Sequence, residues 1–309
     1  MMSEWVTAIG ASNIDIHGFS NEPVIMEDSN PGKIHTCPGG VSRNISENLI
    51  RLGVHTKLMT ALGDDMNGLQ IRESCKNLNI DLSMSLEVPG HHSSTYMAVM
   101  DPDGEMILAL SDMRILDKLT VSHLKKHHDA LVNSSAIVMD AGLPPETMHY
   151  ITSVYSSKKT FLDPVSVKKC YRMEKFTGQF YCLKLNRLEA SYLSGITINN
   201  DKTLQESAES LLNLGVKRVY ISLGADGIFY AEAGNSGLIS APTVKIANAT
   251  GAGDAVTAAV IWGELQEWSM KDISRFAIGA ATITISCNKT VSEDMNIKKI
   301  EELLKEKIG

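Results

Sequence analysis

The stretch ATGAGDAVTAAVIWGEL, residues 249–265, decides how the rest of this sequence is interpreted. Two glycines, Gly251 and Gly253, flank an alanine, and a carboxylate, Asp254, follows them directly. The remainder reads as the body of a helix, and glycines at a helix start leave backbone N–H groups available to bind an anion. The stretch therefore predicts an anion-binding helix N-terminus that carries its own carboxylate.

Four interpretations of this loop compete. A dinucleotide-binding fingerprint, G-x-G-x-x-G, is disfavoured because Val256 occupies the position of the third glycine, and no Walker A string occurs anywhere in the chain. The small residues could instead serve only close helix packing, as Ala255 and Ala258 also suggest. In the fourth interpretation, the N–H groups of Gly251–Gly253 face a phosphoryl group, and Asp254 accepts the proton of the attacking hydroxyl as a general base.

The composition favours a protein that acts on small molecules. The chain has 309 residues, with 43% hydrophobic and 21% charged residues, which is ordinary for a globular protein. Its net charge of −7 argues against a nucleic acid polymer as a partner. Five cysteines without a C-x-x-C pattern indicate neither a zinc site nor a disulfide framework. Because no leader pattern and no apolar run of about 18 residues is present, we expect a cytoplasmic protein with no membrane partner.

Strands and helices alternate along most of the chain. Strands are predicted at WVTAIGASNIDI, AIVMDAG, TFLDPV, QFYCLKLN and RVYISLG, and helices at 39–53, 144–157, 187–195 and 203–214. This alternation predicts a mostly parallel sheet with helices on both faces. Residues 93–113 predict a hairpin, which we expect to form a flap beside the sheet. Because ligands bind at the carboxyl ends of parallel strands, polar residues there are site candidates: Asn13, Asp15, Asp140, Asp163, Asn186 and the turn 222–227.

Five ordered motifs give the chain a resemblance to a known family. PGGVSRNISENLIRLG (38–53) and NATGAGDA (248–255) resemble the two signatures of the ribokinase-like (PfkB) carbohydrate and nucleoside kinases. Three further motifs are similar to that family's and follow its order: NID (13–15), NRLE (186–189) and SLGADG (222–227). The resemblance implies a three-layer α/β fold with a mostly parallel central sheet and a small β lid. It also implies one kinase domain over residues 1–309, with lid segments near 14–37 and 91–113.

The resemblance also implies a role for each motif residue. Asp254 would be the general base, and the backbone of Gly251, Ala252 and Gly253 would form the anion hole. The substrate hydroxyls would be bound by Asn13, Asp15, Gly39, Gly40 and Asn44. ATP would be bound by Asn186, Ser222, Gly224, Asp226 and Gly227. Glu189 would act on Mg²⁺ through water, because this ion keeps most of its hydration shell.

Local structure offers a second interpretation for three of these motifs. Asp15 could merely cap a turn, and Pro-Gly-Gly at 38–40 could be only a tight turn before a helix. Asn186, with Glu189 three residues later, has the pattern of a helix capping box. The sequence leaves these structural interpretations open beside the functional ones, and both can hold at once.

Longer stretches narrow the resemblance within the family. DSNPGKIHTCPGGVSRNISENL (28–49), SDM (111–113) and DPVSVKKC (163–170) resemble the members that phosphorylate the 5′-hydroxyl of pseudouridine with MgATP. Candidates for the base pocket are Thr95, Asp112 and Lys169. Lys169 could equally be a solvated surface charge. Kinases of ribose, adenosine or inosine remain the alternative, and a non-catalytic sensor would be expected to have lost Asp254 or the glycine loop.

One position departs from the family pattern. Many ribokinase-like enzymes have an aspartate six residues before the catalytic one, where it helps to bind a monovalent cation. Here that residue is Asn248, so the requirement for such a cation stays open. The resemblance further implies a homodimer formed through the lids.

Overall fold

The computed structural model describes residues 5–307, so the extreme ends of the predicted 1–309 domain, residues 1–4 and 308–309, lie outside the described residues. The strands are β1 (Val6–Ile9), β2 (Asn13–Ser20), β3 (Gly32–Gly39), β4 (Thr56–Met59), β5 (Ala61–Gly63), β6 (Leu86–Val88), β7 (Thr95–Met100), β8 (Met106–Asp112), β9 (Ala136–Asp140), β10 (Lys159–Asp163), β11 (Cys182–Asn186), β12 (Arg218–Ser222), β13 (Ile228–Glu232) and β14 (Asn235–Ile239). The helices are α1 (Val41–Arg51), α2 (Met66–Asn77), α3 (Val121–Lys126), α4 (His128–Asn133), α5 (Pro145–Val154), α6 (Val167–Cys170), α7 (Arg187–Ser194), α8 (Asp201–Asn213), α9 (Ala252–Leu265), α10 (Met270–Ile285) and α11 (Ile297–Lys307).

A central sheet of eight strands organises the chain, in the order β14-β13-β12-β11-β10-β9-β1-β4. The six strands from β12 to β4 run parallel, and β13 and β14 add an antiparallel edge. Strands β1, β9, β10 and β11 are buried along nearly their whole length, as expected for parallel strands covered on both faces. The predicted mixed α/β class with a mostly parallel sheet is confirmed.

The two faces of this sheet carry two separate cores. Along β1, Val6 and Ala8 belong to one core and Ile9 to the other, because successive side chains of a strand point to opposite faces. Helices α1, α9 and α10 cover the first face, and α5, α7 and α8 contribute buried residues to the second. The chain therefore folds into three layers, with α9 packed against both α10 and α1.

A second sheet of four strands, β3-β2-β7-β8, forms the lid. Strand β2 pairs antiparallel with β3 and parallel with β7, and β7 and β8 form the predicted hairpin around Asp101–Gly104. The opening stretch, predicted as one buried strand, divides instead into β1 in the central sheet and β2 in the lid. Asn13 and Asp15 consequently lie at the start of a lid strand rather than at the tip of β1.

The predicted helices are found with small differences at their ends. The helix predicted over 39–53 spans only Val41–Arg51, and the one predicted over 203–214 begins two residues earlier, where Asn200 caps it. Within residues 5–307, no helix combines the length and the apolar character that crossing a membrane requires.

Candidate active site

The glycine loop opens directly into α9. Gly251 is the N-cap residue and has a left-handed backbone with φ of 83°. A Cβ at this position would lie 2.0 Å from the carbonyl oxygen of Thr290, so only glycine fits. Because Gly251 has no side chain to cap the helix, the N–H groups of the first turn, which begins at Ala252, are left without a side-chain cap. This arrangement suits an anion.

Asp254 lies in the first turn of α9 and is only 8% exposed. Asn44 Nδ2 donates a hydrogen bond of 2.8 Å to Asp254 Oδ2. Burial, and then the negative charge of Asp163, raises the pKa of Asp254 to about 7, although Asn44, Lys184 and Arg43 oppose the rise. A carboxylate with a pKa near neutrality suits the transfer of a proton at physiological pH.

A buried ion pair lies beneath the glycine loop, and of its two members Asp163 is a predicted strand-end candidate whereas Lys184 was missed. Lys184 Nζ donates a hydrogen bond of 2.8 Å to Asp163 Oδ2, and the same oxygen accepts one of 3.0 Å from Thr257 Oγ1. A Cβ on Gly253 would lie 3.0 Å from Lys184 Nζ, so the glycine leaves room for the ammonium. The sequence signal was a lysine inside the otherwise apolar strand CLKL, just before Asn186.

Arg43 organises the turn that leads into α1, and it too was missed. Its Nε donates a hydrogen bond of 3.0 Å to Gly39 O, and its Nη1 forms an ion pair of 2.8 Å with Glu47. Its Nη2 donates to Asn44 Oδ1. The arginine therefore fixes both the Pro-Gly-Gly turn and the orientation of Asn44, whose other side-chain atom donates to Asp254.

The expected substrate-binding residues converge at the base of the lid. Asn13 Nδ2 donates a hydrogen bond of 2.6 Å to Asp15 Oδ1. Burial raises the pKa of Asp15 above its ordinary value, while Asn13 and nearby positive charges oppose the rise. A Cβ on Gly39 would lie 2.1 Å from Asp15 Oδ2, so Gly39 leaves the space in which this carboxylate lies. Gly40 is the N-cap of α1.

An apolar cavity of about 400 Å³ lies on the other side of the glycine loop. Its walls are formed by β12, the turn after it, the 241–249 segment and helices α9 and α10, and they include Ser222, Gly224, Gly227, Val256 and Ala281. Ala252 and Gly253 line the same cavity. A largely apolar cavity that ends at an uncapped helix N-terminus fits a nucleotide, with an aromatic base on the apolar walls and phosphates at the loop.

Asn186 and Glu189 form the capping box of α7. Asn186 Oδ1 accepts a hydrogen bond of 2.9 Å from Glu189 N, and Glu189 Oε2 accepts one of 2.8 Å from Asn186 N. The structural interpretation of this motif therefore holds. Burial, followed by the charge of Asp163, raises the pKa of Glu189, so a cation beside it would be favourable. Carboxylate oxygens are the donors that Mg²⁺ prefers.

Asp226 differs in position from the rest of its turn. Its Oδ2 accepts a hydrogen bond of 2.8 Å from Arg187 Nη2, and both side chains are substantially exposed. It lines a separate surface depression rather than the apolar cavity that Ser222, Gly224 and Gly227 line.

Two of the base-pocket candidates are not brought to the face of the lid that carries Asp15. In the register of the lid, Asp15 is opposite Tyr96, whereas Thr95 is opposite Asp112. Because side chains alternate between the faces of a sheet, Thr95 and Asp112 point away from the Asp15 face. Asp112 instead forms an ion pair with Arg114, which lowers the pKa of Asp112 to about 2.

The third base-pocket candidate, Lys169, lies on the short helix α6 that follows β10. Its side chain is half-buried and forms no ion pair with the residues that the structure describes. Asn248, at the position left open for a cation, uses Oδ1 to accept a hydrogen bond of 2.9 Å from Thr250 N.

The fold and this site together define a kinase of small sugars or nucleosides. A polar pocket beneath the lid, whose walls include His17, His35, Arg43 and Asn248, and the apolar nucleotide-sized cavity both adjoin the segment that leads into the glycine loop. The chain belongs to the pfkB family of carbohydrate kinases, whose model matches residues 3–296.

One relative and two solved structures illustrate the similarity. The chain is 34% identical over 302 residues to the pseudouridine kinase of Escherichia coli (strain K12), covering 97% of this chain and 96% of that protein. A carbohydrate kinase from Agrobacterium tumefaciens superposes with a TM-score of 0.86 at 22% identity, covering 98% and 97% of the two chains. Ribokinase of Arabidopsis thaliana, solved with ribose and ATP, superposes with a TM-score of 0.84 at 19% identity, covering 98% and 99%. The two structures show the shared fold.

Proposed function

We propose that this protein transfers the γ-phosphoryl group of ATP to the 5′-hydroxyl of pseudouridine, with Asp254 as the general base. The observation that carries the proposal is the position of Asp254. It is buried in the first turn of α9, directly after the glycine loop, and receives a hydrogen bond from Asn44. A base and an anion site thus lie within one helical turn, which is what phosphoryl transfer to a hydroxyl requires.

The residues at the base of the lid have the chemistry to bind the acceptor. The carboxylate of Asp15 accepts hydrogen bonds and can take two ribose hydroxyls, one on each oxygen. Asn13 orients this carboxylate, and Asn44 orients Asp254. The acceptor is then bound by the carboxylate of Asp15 and presents its 5′-hydroxyl to the carboxylate of Asp254.

The proton and the phosphoryl group move in opposite directions. Asp254 accepts the proton of the 5′-hydroxyl. The oxygen of that hydroxyl bonds to the γ-phosphorus, and the bond between the γ-phosphorus and the leaving ADP oxygen breaks. The N–H groups at Gly251–Gly253 stabilise the charge of the transferred group. MgATP supplies the phosphoryl group and the metal charge, and the apolar cavity with Glu189 would hold it.

The choice of pseudouridine rests on similarity. The printed activity of the Escherichia coli relative and the 28–49, 111–113 and 163–170 stretches support it. Lys169, whose ammonium has no ion-pair partner among the described residues, supports a polar base pocket next to β10. Ribose, adenosine and inosine are the alternative acceptors.

The test measures the release of ADP from MgATP with each of five candidate acceptors: ribose, adenosine, inosine, uridine and pseudouridine. We expect turnover of pseudouridine above the other acceptors, and a loss of about 10²–10⁴-fold in kcat for Asp254→Asn. Asp129→Asn is a matched control, because Asp129 is also in the first turn of a helix, α4, but is exposed, and α4 packs on the opposite face of the central sheet from α9. Turnover of another acceptor alone would replace the substrate assignment. A fully active Asp254→Asn variant would remove the general base.

A homodimer formed through the lids is also part of the proposal. One face of the lid, which we call the outer lid face, carries the exposed apolar side chains of Ile34, Met97, Leu108 and Leu110. The register places these residues on the face opposite Asp15. Contiguous exposed apolar side chains of this kind are typical of a protein interface, and a second copy of this chain is the proposed occupant.

A further inference from the structure

Lys184 is buried beside the glycine loop, where its ammonium group loses hydration. It lies near the end of β11 and is 7% exposed, and its ammonium is within 2.8 Å of Asp163 Oδ2. On the opposite side, a Cβ on Gly253 would lie 3.0 Å from the same nitrogen. The ammonium is therefore enclosed between a carboxylate at the tip of β10 and the backbone of the glycine loop.

The ion pair with Asp163 leaves donors of Lys184 unused. An ammonium has three N–H donors, and Lys184 makes one hydrogen bond within the described part of the chain. Burial alone would lower the pKa of Lys184, but the charges of Asp163, Glu189 and Asp254 raise it above its ordinary value. A permanently charged ammonium with unused donors thus faces the loop that the proposed function assigns to the phosphoryl group.

We propose that Lys184 binds the transferred phosphoryl group, acting as a catalytic residue from beneath the loop while Gly253 N–H acts from the helix. This inference rests on the proposed function. A phosphoryl group at the N-terminus of α9 lies beside Gly253, whose missing side chain brings the ammonium close. In phosphoryl transfer the charge spreads over the equatorial oxygens, and a preorganised cation stabilises that charge. Asp163 and Thr257 hold the cation in place.

The competing explanation is structural. Lys184 could serve only to neutralise Asp163 and so tie β10, β11 and α9 together. Removing one partner of a buried pair leaves an uncompensated charge and destabilises the fold, whereas removing both is often tolerated. A double substitution therefore separates the two explanations.

The experiment compares the wild type, Lys184→Met and the double variant Lys184→Met/Asp163→Asn. Three quantities are measured: the thermal unfolding midpoint, kcat, and the affinities for Mg-ADP and for a non-hydrolysable Mg-ATP analogue by calorimetry. We expect Lys184→Met to lose about tenfold more affinity for the analogue than for ADP, and kcat to fall about 10²-fold or more. The double variant is expected to recover the unfolding midpoint but not kcat.

Two results would overturn the inference. One is a double variant that recovers both stability and kcat, and the other is an equal loss of affinity for ADP and for the ATP analogue. The nucleotide affinities are measured without an acceptor. A wild type that binds the analogue through Lys184 but does not phosphorylate pseudouridine would therefore contradict the substrate assignment and still support the role of Lys184.

Discussion

Asn44 and Asp254, 210 positions apart in the chain, are joined by a hydrogen bond of 2.8 Å from Asn44 Nδ2 to Asp254 Oδ2. Asn44 is on α1 and Asp254 is on α9, and the two helices pack against each other on one face of the central sheet. The contact brings the motif at 38–53 and the glycine loop into one site. It also favours the ionised form of a carboxylate whose burial opposes ionisation.

The rate of phosphoryl transfer should depend on pH through Asp254. Its pKa is raised to about 7, and only the ionised carboxylate can accept the hydroxyl proton. We expect kcat/KM for the acceptor to rise about tenfold per pH unit below 7 and to level off above 8. The measurement is a pH profile from 5 to 9 at saturating MgATP. A profile that is flat between 5 and 7 would contradict the assignment.

The stability of Asp254→Asn relative to the wild type should also depend on pH. Because the pKa is about 7 in the folded state and about 3.9 in an unfolded chain, the folded state holds a proton that the unfolded state has lost between these values. The wild type therefore loses about 1.4 kcal/mol of stability per pH unit over this interval through this group, and the variant does not. Urea unfolding at pH 5, 6, 7 and 8 measures the difference. The free energy of unfolding of the variant minus that of the wild type should grow with pH up to about 7 and then stay constant. A difference independent of pH would contradict the expectation.

Gly39→Ala should impair use of the acceptor and leave the binding of the nucleotide unaffected. The added Cβ would lie 2.1 Å from Asp15 Oδ2 and displace that carboxylate. We expect kcat/KM for the acceptor to fall about 10²-fold with KM for ATP unchanged, because the acceptor is misplaced. Gly18→Ala is the matched control, since its Cβ meets only Ala98 O at 4.0 Å. Equal effects of the two substitutions would count against the role of Asp15.

Ala281→Phe should weaken the binding of ATP and leave the binding of the acceptor nearly unchanged. Ala281 lines the apolar cavity of about 400 Å³, and a phenyl ring there would occupy the space proposed for the adenine. We expect KM for ATP to rise about tenfold with little change in KM for the acceptor. Ala233→Phe is the control, because Ala233 is exposed in the turn between β13 and β14. An unchanged KM for ATP would show that the nucleotide binds elsewhere.

Leu110→Lys should weaken the proposed homodimer. Leu110 is 65% exposed on the outer lid face, where a charge would have to be buried in the interface. Sedimentation equilibrium should show that the dissociation constant of the dimer is about tenfold or more higher for the variant than for the wild type. Leu214→Lys is a matched control, because Leu214 is 54% exposed and lies outside the lid. A wild type that is monomeric at all concentrations would remove the proposal.

Much of the fold could be predicted because periodicity is a local property. Strands β9 to β12 and the helices near 145–154 and 187–194 follow from apolar runs and their spacing, with errors of one to three residues at the ends, whereas β4, β13 and β14 were not predicted. The division of residues 5–16 into two strands could not be predicted in this way. Both segments have the same strand-like pattern, and only their pairing partners, β9 and β7, distinguish them.

The glycine loop, its carboxylate and the capping box around Glu189 are encoded in short stretches, so the sequence by itself determined them. It also determined the three-layer class, since the alternation of strands and helices leaves few other ways to bury both faces of a sheet. Only the tertiary structure decided which side chains meet. Asn44 with Asp254, Lys184 with Gly253, and the outward face of Thr95 and Asp112 depend on packing and on strand register. A change of one residue in register would reverse every lid side chain, and no local pattern records that choice.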